Sequence, residues 1–199
     1  MKNKILLFNR WDTSGVVFKD KGVECVTNLK PIIVPRTDGK HRSRPRDINI
    51  VERFMNKLMV PGHKGKKHKI TSGCCTGRTQ TLYNAIKNAF IEIEKRTKKN
   101  PIQIFINAVE NSAVLEEVAA YRLGGIIARK AVSVSPQRRV DIALRHLAQG
   151  IYKINCQKPG KTPLYKIIAD EIIKAANNDV KSFAISEKTR IEKEAEGAR

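Results

Sequence analysis

One run, Asn100 to Arg145, constrains the fold more than any other stretch: NPIQIFINAVENSAVLEEVAAYRLGGIIARKAVSVSPQRRVDIALR. It reads as helix, β-hairpin, helix. Asn100 is a good N-cap, and Pro101 suits the first helical position, where its missing N–H costs nothing. Ile102, Phe105, Ile106 and Val109 follow at helical spacing and form one apolar stripe. No Lys or Arg occurs between Asn100 and Tyr121, which marks this segment as a buried core helix.

Gly124 and Gly125 then separate two β-rich stretches. A Gly-Gly loop is a strong hairpin signal, because a type I′ turn needs positive φ at both positions. With these glycines as the loop, Leu123 pairs with Ile126, Arg122 with Ile127 and Ala120 with Arg129. Alternation sets Arg122 and Arg129 on one face. Close like charges are mildly destabilising, so an anion is expected there. The hairpin carries cations, has little reason to be buried and should project from the body.

The second helix of the run opens at Ser135-Pro136 and buries Val140, Ala143, Leu144, Leu147 and Ile151. Arg138 and Arg139 fall in its first turn, where the helix dipole disfavours a cation by about 0.3–1 kcal/mol each. A phosphate at this spot would be held by both the dipole and the arginines. Asp141 can neutralise Arg138 and Arg145 at helical spacing, which leaves Arg139 without a match.

Charge decides what such a chain meets. The 199 residues carry 39 Lys plus Arg against 19 Asp plus Glu, a net +20. This far exceeds what solubility needs and implies a polyanionic partner, nucleic acid before a membrane surface. Aromatics are only 6%, so phosphate contact and shape should dominate over base stacking. The apolar run Ile5 to Phe8 is too short for a signal peptide, and no stretch approaches a membrane span. The chain therefore reads as cytoplasmic, with Cys25, Cys74, Cys75 and Cys156 as reduced thiols.

In chain order, LLFNRWD suggests a short strand or turn anchored by Trp11. Residues 21–48 read as irregular, and Arg36, Lys40, Arg42, Arg44 and Arg46 make a basic arm. A helix should run from Ile50 to Val60, with Val51, Phe54, Met55 and Leu58 inward and Arg53 and Lys57 on an outer stripe. A charged loop follows at 63–69, with His63, Lys64, Lys66, Lys67 and Lys69. From Arg36 through Arg78 there are twelve cations and three acids, which favours nucleic-acid contact over a merely solvated face. A long helix is expected from Thr79 to Thr97, closed by cations that its dipole welcomes. Another opens at Thr162-Pro163, with Leu164, Ile168, Ile172 and Ala175 inside and Asp170 and Glu171 on the outer side. The end is a helix of mixed charge. The fold expected is mainly α: a bundle of about six helices with a protruding β-hairpin and a basic N-terminal arm. Residues 1–48 form the extension and arm, and residues 49–199 the helical domain with its hairpin at 118–134.

Chemistry is not signalled. Cys74-Cys75 with His63 and His68 fits no common zinc spacing, and GHKGKKHK lacks the full order of a phosphate loop. No paired carboxylates or nucleophile elbow stand out. The reading is of a non-enzyme without cofactor, metal or small-molecule substrate. A DNA-binding regulator using the arm and helix 50–60 is the alternative, but the loop after Val60 is too long and too basic for a helix-turn-helix.

NPIQIFINAVENSA, the Gly-Gly hairpin, VSPQRRVDIALR and KSFAISEKTRIEKEAEGAR together resemble the universal small-subunit ribosomal protein seven family, from about Ile50 to Arg199. LLFNRWD is similar to its archaeal and eukaryotic branch. The resemblance implies a helical fold with a β-ribbon that binds the 3′ major domain of small-subunit rRNA and nucleates head assembly. It implies neighbouring head proteins as partners and a ribbon near exit-site tRNA and the mRNA path. Carried over, the rRNA-facing surface falls on Arg53, Lys57, the 63–69 loop, Arg78, Arg138 and Arg139. The tRNA- and mRNA-proximal positions are the ribbon, with Arg122, Gly124, Gly125, Arg129 and Lys130, and the terminal Arg199. Two positions depart from the pattern: Val114-Leu115-Glu116 replaces the usual Pro-Arg-Glu, and Ser133 stands where an acid is usual.

Overall fold

The computed structural model describes residues 5–31, 47–59, 78–157 and 160–199. Among these are seven helices: α1 (Lys21–Val26), α2 (Ile50–Met59), α3 (Thr79–Thr97), α4 (Pro101–Ser112), α5 (Pro136–Gln157), α6 (Leu164–Ala176) and α7 (Phe183–Glu196). One antiparallel ribbon, β1 (Glu116–Leu123) and β2 (Ile126–Ser133), stands between α4 and α5 in sequence.

The centre of the bundle is α4. The Asn100 side chain accepts the Ile102 N–H, and Pro101 fills the first turn. Ile102, Ile104, Phe105, Ile106, Ala108 and Val109 are all buried, so this helix must be enclosed everywhere but along its polar stripe of Gln103, Asn107, Glu110 and Asn111. It packs against α3, α5, α6 and α7. A chain of rings then crosses the core. Trp11 lies 5.8 Å from Phe90, Phe90 lies 6.0 Å from Phe105, and Phe105 lies 5.2 Å from Phe54. The edge-on and tilted geometries suit the ring quadrupoles.

In the N-terminal stretch Trp11 is the expected anchor, buried and bridged to Leu7 across a turn. Leu7, Phe8, Trp11, Val23 and Val26 belong to the main core, so residues 5–31 pack into the body rather than extending from it. Polar side chains of α4 bind the strap between Trp11 and α1. Asn100 donates to the Asp12 carbonyl, Gln103 pairs with both backbone groups of Val17, and Glu110 accepts the N–H groups of Lys19 and Asp20. The strap's backbone is thereby satisfied without a sheet. Within the region read as irregular, α1 forms because Asp20 caps it, accepting the Gly22 N–H at 2.8 Å, and because Val23 and Val26 are buried.

The ribbon has the expected register: Leu123 faces Ile126, Arg122 faces Ile127 and Ala120 faces Arg129. Gly124 and Gly125 take φ of 53° and 95°, as the turn requires. Tyr121, Ile126 and Ile127 are exposed, and the tip touches nothing that would bury them.

One helical position is reversed from expectation. Glu171 lies inside, fully buried, where its carboxylate accepts the Ser182 hydroxyl at 2.7 Å and the Ala184 N–H at 3.4 Å. It caps the start of α7 from a different helix.

Candidate nucleic-acid interface

Helix α2 organises the interface, because a cation-rich segment leaves from each of its ends. At its start, the Asn28 side chain donates to the Asp47 carbonyl and Asn49 donates to the Lys30 carbonyl. The chain that departs after residue 31 is thus clipped to where it returns at residue 47. At its end, the Thr79 hydroxyl donates to the Met59 sulfur, which holds the far side of residues 60–77 beside their departure. A ten-residue helix is about 15 Å long, so the two roots stand that far apart. Arg36, Lys40, Arg42, Arg44, Arg46, His63, Lys64, Lys66, Lys67 and Lys69 lie outside the described residues. By sequence, residues 32–46 and 60–77 hold nine Lys and Arg against one acid.

Where α2 meets α5, the charges are unbalanced. Arg53 donates to Asp141 at 3.1 Å and to the Val26 carbonyl at 3.3 Å. Lys57 is half-buried beside Asp141, Arg145 and Arg53, and burial lowers its pKa more than Asp141 raises it. Of the charged groups acting on Lys57, only Asp141 is a carboxylate, and it is bonded to Arg53. A phosphate entering beside Lys57 would relieve the excess.

The arginines of this surface divide by partner. Arg53, expected on an outer stripe, is only 6% exposed, because its partners on α1 and α5 close over it. It is a structural ion pair and not a surface contact. Arg139 is likewise mostly covered: its Nε donates to the Val134 carbonyl at 2.8 Å and its guanidinium pairs with Asp20 at 3.3 Å. Arg138 is 57% exposed but is held side-on by Glu117, at 2.6 and 2.8 Å, and not by Asp141. This bidentate bond raises its pKa further. Arg199 pairs with Glu116 at 2.6 Å. Arg78 is exposed at the N-cap of α3, beside the root of residues 60–77.

On the ribbon, Arg122 near the turn and Arg129 and Lys130 at mid-length are exposed. From Ala120 to Ala131 the chain contains no acid. Arg122 and Arg129 share a face, and Lys130 lies on the other with Tyr121.

Residues 24–199 match the model of the family described as ribosomal protein S7p/S5e. The chain belongs to this family. It is 45% identical to the small ribosomal subunit protein uS7 of Nanoarchaeum equitans over 98% of this chain and all of that one. The uS7 proteins of Archaeoglobus fulgidus and Methanothrix thermoacetophila are each 40% identical, covering 100% and 97% of this chain and 97% and 99% of theirs. The chain thus sits in the archaeal branch of the S7p/S5e family, whose members are structural proteins and not enzymes. Among the described residues, no group of side chains could hold a metal, and no helix is long and apolar enough to cross a membrane.

For this S7p/S5e member, Arg78, Arg122, Arg129 and Lys130 are exposed and Lys57 is half-buried. Reading the sequence missed Arg145 as a member of the α2–α5 group. Its signal was present in the four-residue spacing from Asp141, but Arg53 holds that carboxylate from 88 residues away.

Proposed function

We propose that this chain is a structural constituent of the small ribosomal subunit, in the cytoplasm, that binds the 3′ major domain of its rRNA. In this reading it nucleates assembly of the subunit head among neighbouring head proteins. The observation that carries the reading is the rooting of two cation-rich segments at opposite ends of α2, on a body that matches the S7p/S5e family. Two basic segments rooted about 15 Å apart can engage separate phosphate backbones of a folded junction, while α4 and its neighbours supply a rigid platform. Lys57, whose nearby carboxylate Asp141 is bonded to Arg53, lies between the roots. The ribbon, whose cations run from its middle to Arg122 near the turn, reaches toward exit-site tRNA and the mRNA path.

The test is a titration of the full chain against a transcript of the 3′ major domain, at several salt concentrations, with duplex DNA as competitor. Tight binding that survives the competitor, with a steep salt slope, is expected. Equal displacement by duplex DNA would overturn the reading and leave a generic polycation. Deleting Gly124–Ile127 should spare rRNA binding and disturb exit-site occupancy in reconstituted subunits. Normal occupancy would refute the placement of the tip.

A further inference from the structure

The ribbon is gripped at its root on both faces. Glu116 and Glu117 open β1 as neighbours, so their side chains leave on opposite sides. Glu116 accepts the guanidinium of Arg199, beyond the end of α7, at 2.6 Å. Glu117 accepts Nε and a terminal nitrogen of Arg138, in the first turn of α5, at 2.6 and 2.8 Å. The two guanidiniums therefore approach the same strand from different elements.

Besides these pairs, the ribbon is steadied by α7, which runs against β1 and whose Glu192 accepts the Leu115 N–H at 3.1 Å. Its apolar support is a small cluster of Val114, Val134 and Ile142 with Ile191, apart from the main core and below the two carboxylates. The Val134 N–H donates to the Leu115 carbonyl at 2.9 Å and closes the ribbon at this level. Further out, a cleft of about 710 Å³ separates Val118, Ala120 and Arg129 from Gly197 and Ala198. Eight residues per strand reach about 27 Å, so a long lever stands on a short apolar footing. An exposed ion pair adds little to global stability. The outer half of the ribbon, beyond Ala120, is exposed, so its aim is set at the root, where the side-on Arg138–Glu117 geometry is the most directional of such pairs.

We infer that Glu116 and Glu117 are positioning residues that aim the ribbon, through Arg199 and Arg138, as a two-sided clamp. Losing one side leaves the ribbon free to tilt away from it, and losing both leaves only the apolar footing and the edge of α7 to hold its inner half. Arg138 and Arg199 are therefore engaged in holding the ribbon in the free chain.

Residual dipolar couplings of backbone amides in the full, RNA-free chain measure this directly, so the outcome does not depend on the rRNA reading. In the wild type, ribbon and helices should fit one alignment tensor. In the double variant Glu116→Gln with Glu117→Gln, the helices should still do so. The ribbon's order should fall from about 0.85, the rigid level, to below about 0.6. Glu117→Arg alone should also loosen the ribbon, and adding Arg138→Glu should restore it by re-forming the pair with its charges exchanged. A ribbon that stays on the body's tensor in the double variant would overturn the clamp. So would failure of the exchanged pair to restore order, or a wild-type ribbon already uncoupled from the body.

Discussion

Arg53 and Lys57 sit one helical turn apart on α2, yet the structure gives them opposite work, and replacing each by Met separates the two. Arg53→Met removes an ion pair at 3.1 Å and a hydrogen bond at 3.3 Å to the Val26 carbonyl, from a side chain only 6% exposed. Breaking a fully buried pair costs about 3–5 kcal/mol when the other charge is stranded. Asp141 is 35% exposed and keeps a contact to Gln137, so water can reclaim it. The expected loss is about 1–3 kcal/mol, mainly the orphaned carbonyl and the lost pair. For a chain of this size that lowers Tm by roughly 2–12 °C. RNA affinity should keep its salt dependence, because Arg53 reaches no phosphate.

Lys57→Met should do the reverse. It removes a half-buried cation that crowds Arg53 and Arg145, so Tm should hold or rise. If Lys57 meets one phosphate, the slope of log affinity against log salt should shrink by about 0.7–0.9. Thermal unfolding and salt titration with the same two proteins suffice. An unchanged Tm with a shallower slope for Arg53→Met would refute the division drawn from burial.

Three further outcomes are expected. The lowered pKa of Lys57 means that the unfolded chain binds this proton more tightly, so wild-type stability gains as pH rises through the folded value toward 10.5. Denaturant midpoints for Lys57→Met should lack that alkaline gain and exceed the wild type at neutral pH. In Gly150→Ala, the new Cβ would stand 2.8 Å from the Phe183 Cβ and 3.1 Å from the Glu171 carboxylate. Overpacking of about 1–3 kcal/mol then outweighs the roughly 1 kcal/mol helical gain, and urea unfolding should show a net loss of about 0.5–2 kcal/mol. At the ribbon tip, where nothing lies within 4 Å of either glycine, Gly124→Asn at φ 53° should leave cross-strand amide protection unchanged. Gly125→Val at φ 95° should abolish that protection near the tip while Tm stays put.

What could be read in advance was local. The ribbon's register follows from two glycines and strict alternation, and the bounds of α3 follow from apolar periodicity and the cations at its end. What could not be read depends on partners far away in sequence. Leu164 and Glu171 are seven residues apart, so Glu171 falls on the apolar stripe of α6, and only its charge argued for the outside. Ser182 and the start of α7 supply the polar neighbours that let it stay in. Six residues are too few for a helical period to show in α1, and its cap lies in a strap that α4 organises.

The same distance effect governs the arginines. Asp141, Glu117, Asp20 and Glu116 partner Arg53, Arg138, Arg139 and Arg199, and in each pair the carboxylate comes from a different element or segment than the arginine. Spacing within α5 offered Asp141 to Arg138, but Asp141 belongs to Arg53 and Arg138 to Glu117. A cation in the first turn of a helix was read as awaiting a phosphate, and the fold supplies carboxylates in its stead. Charge that the folded body neutralises adds little to counterion release. In the proposed rRNA complex, the electrostatic drive would therefore rest on residues 32–46 and 60–77, whose net +8 belongs to a chain of +20, and on exposed cations such as those of the ribbon. The paired arginines hold in place the α2 roots and the ribbon base from which those charges extend.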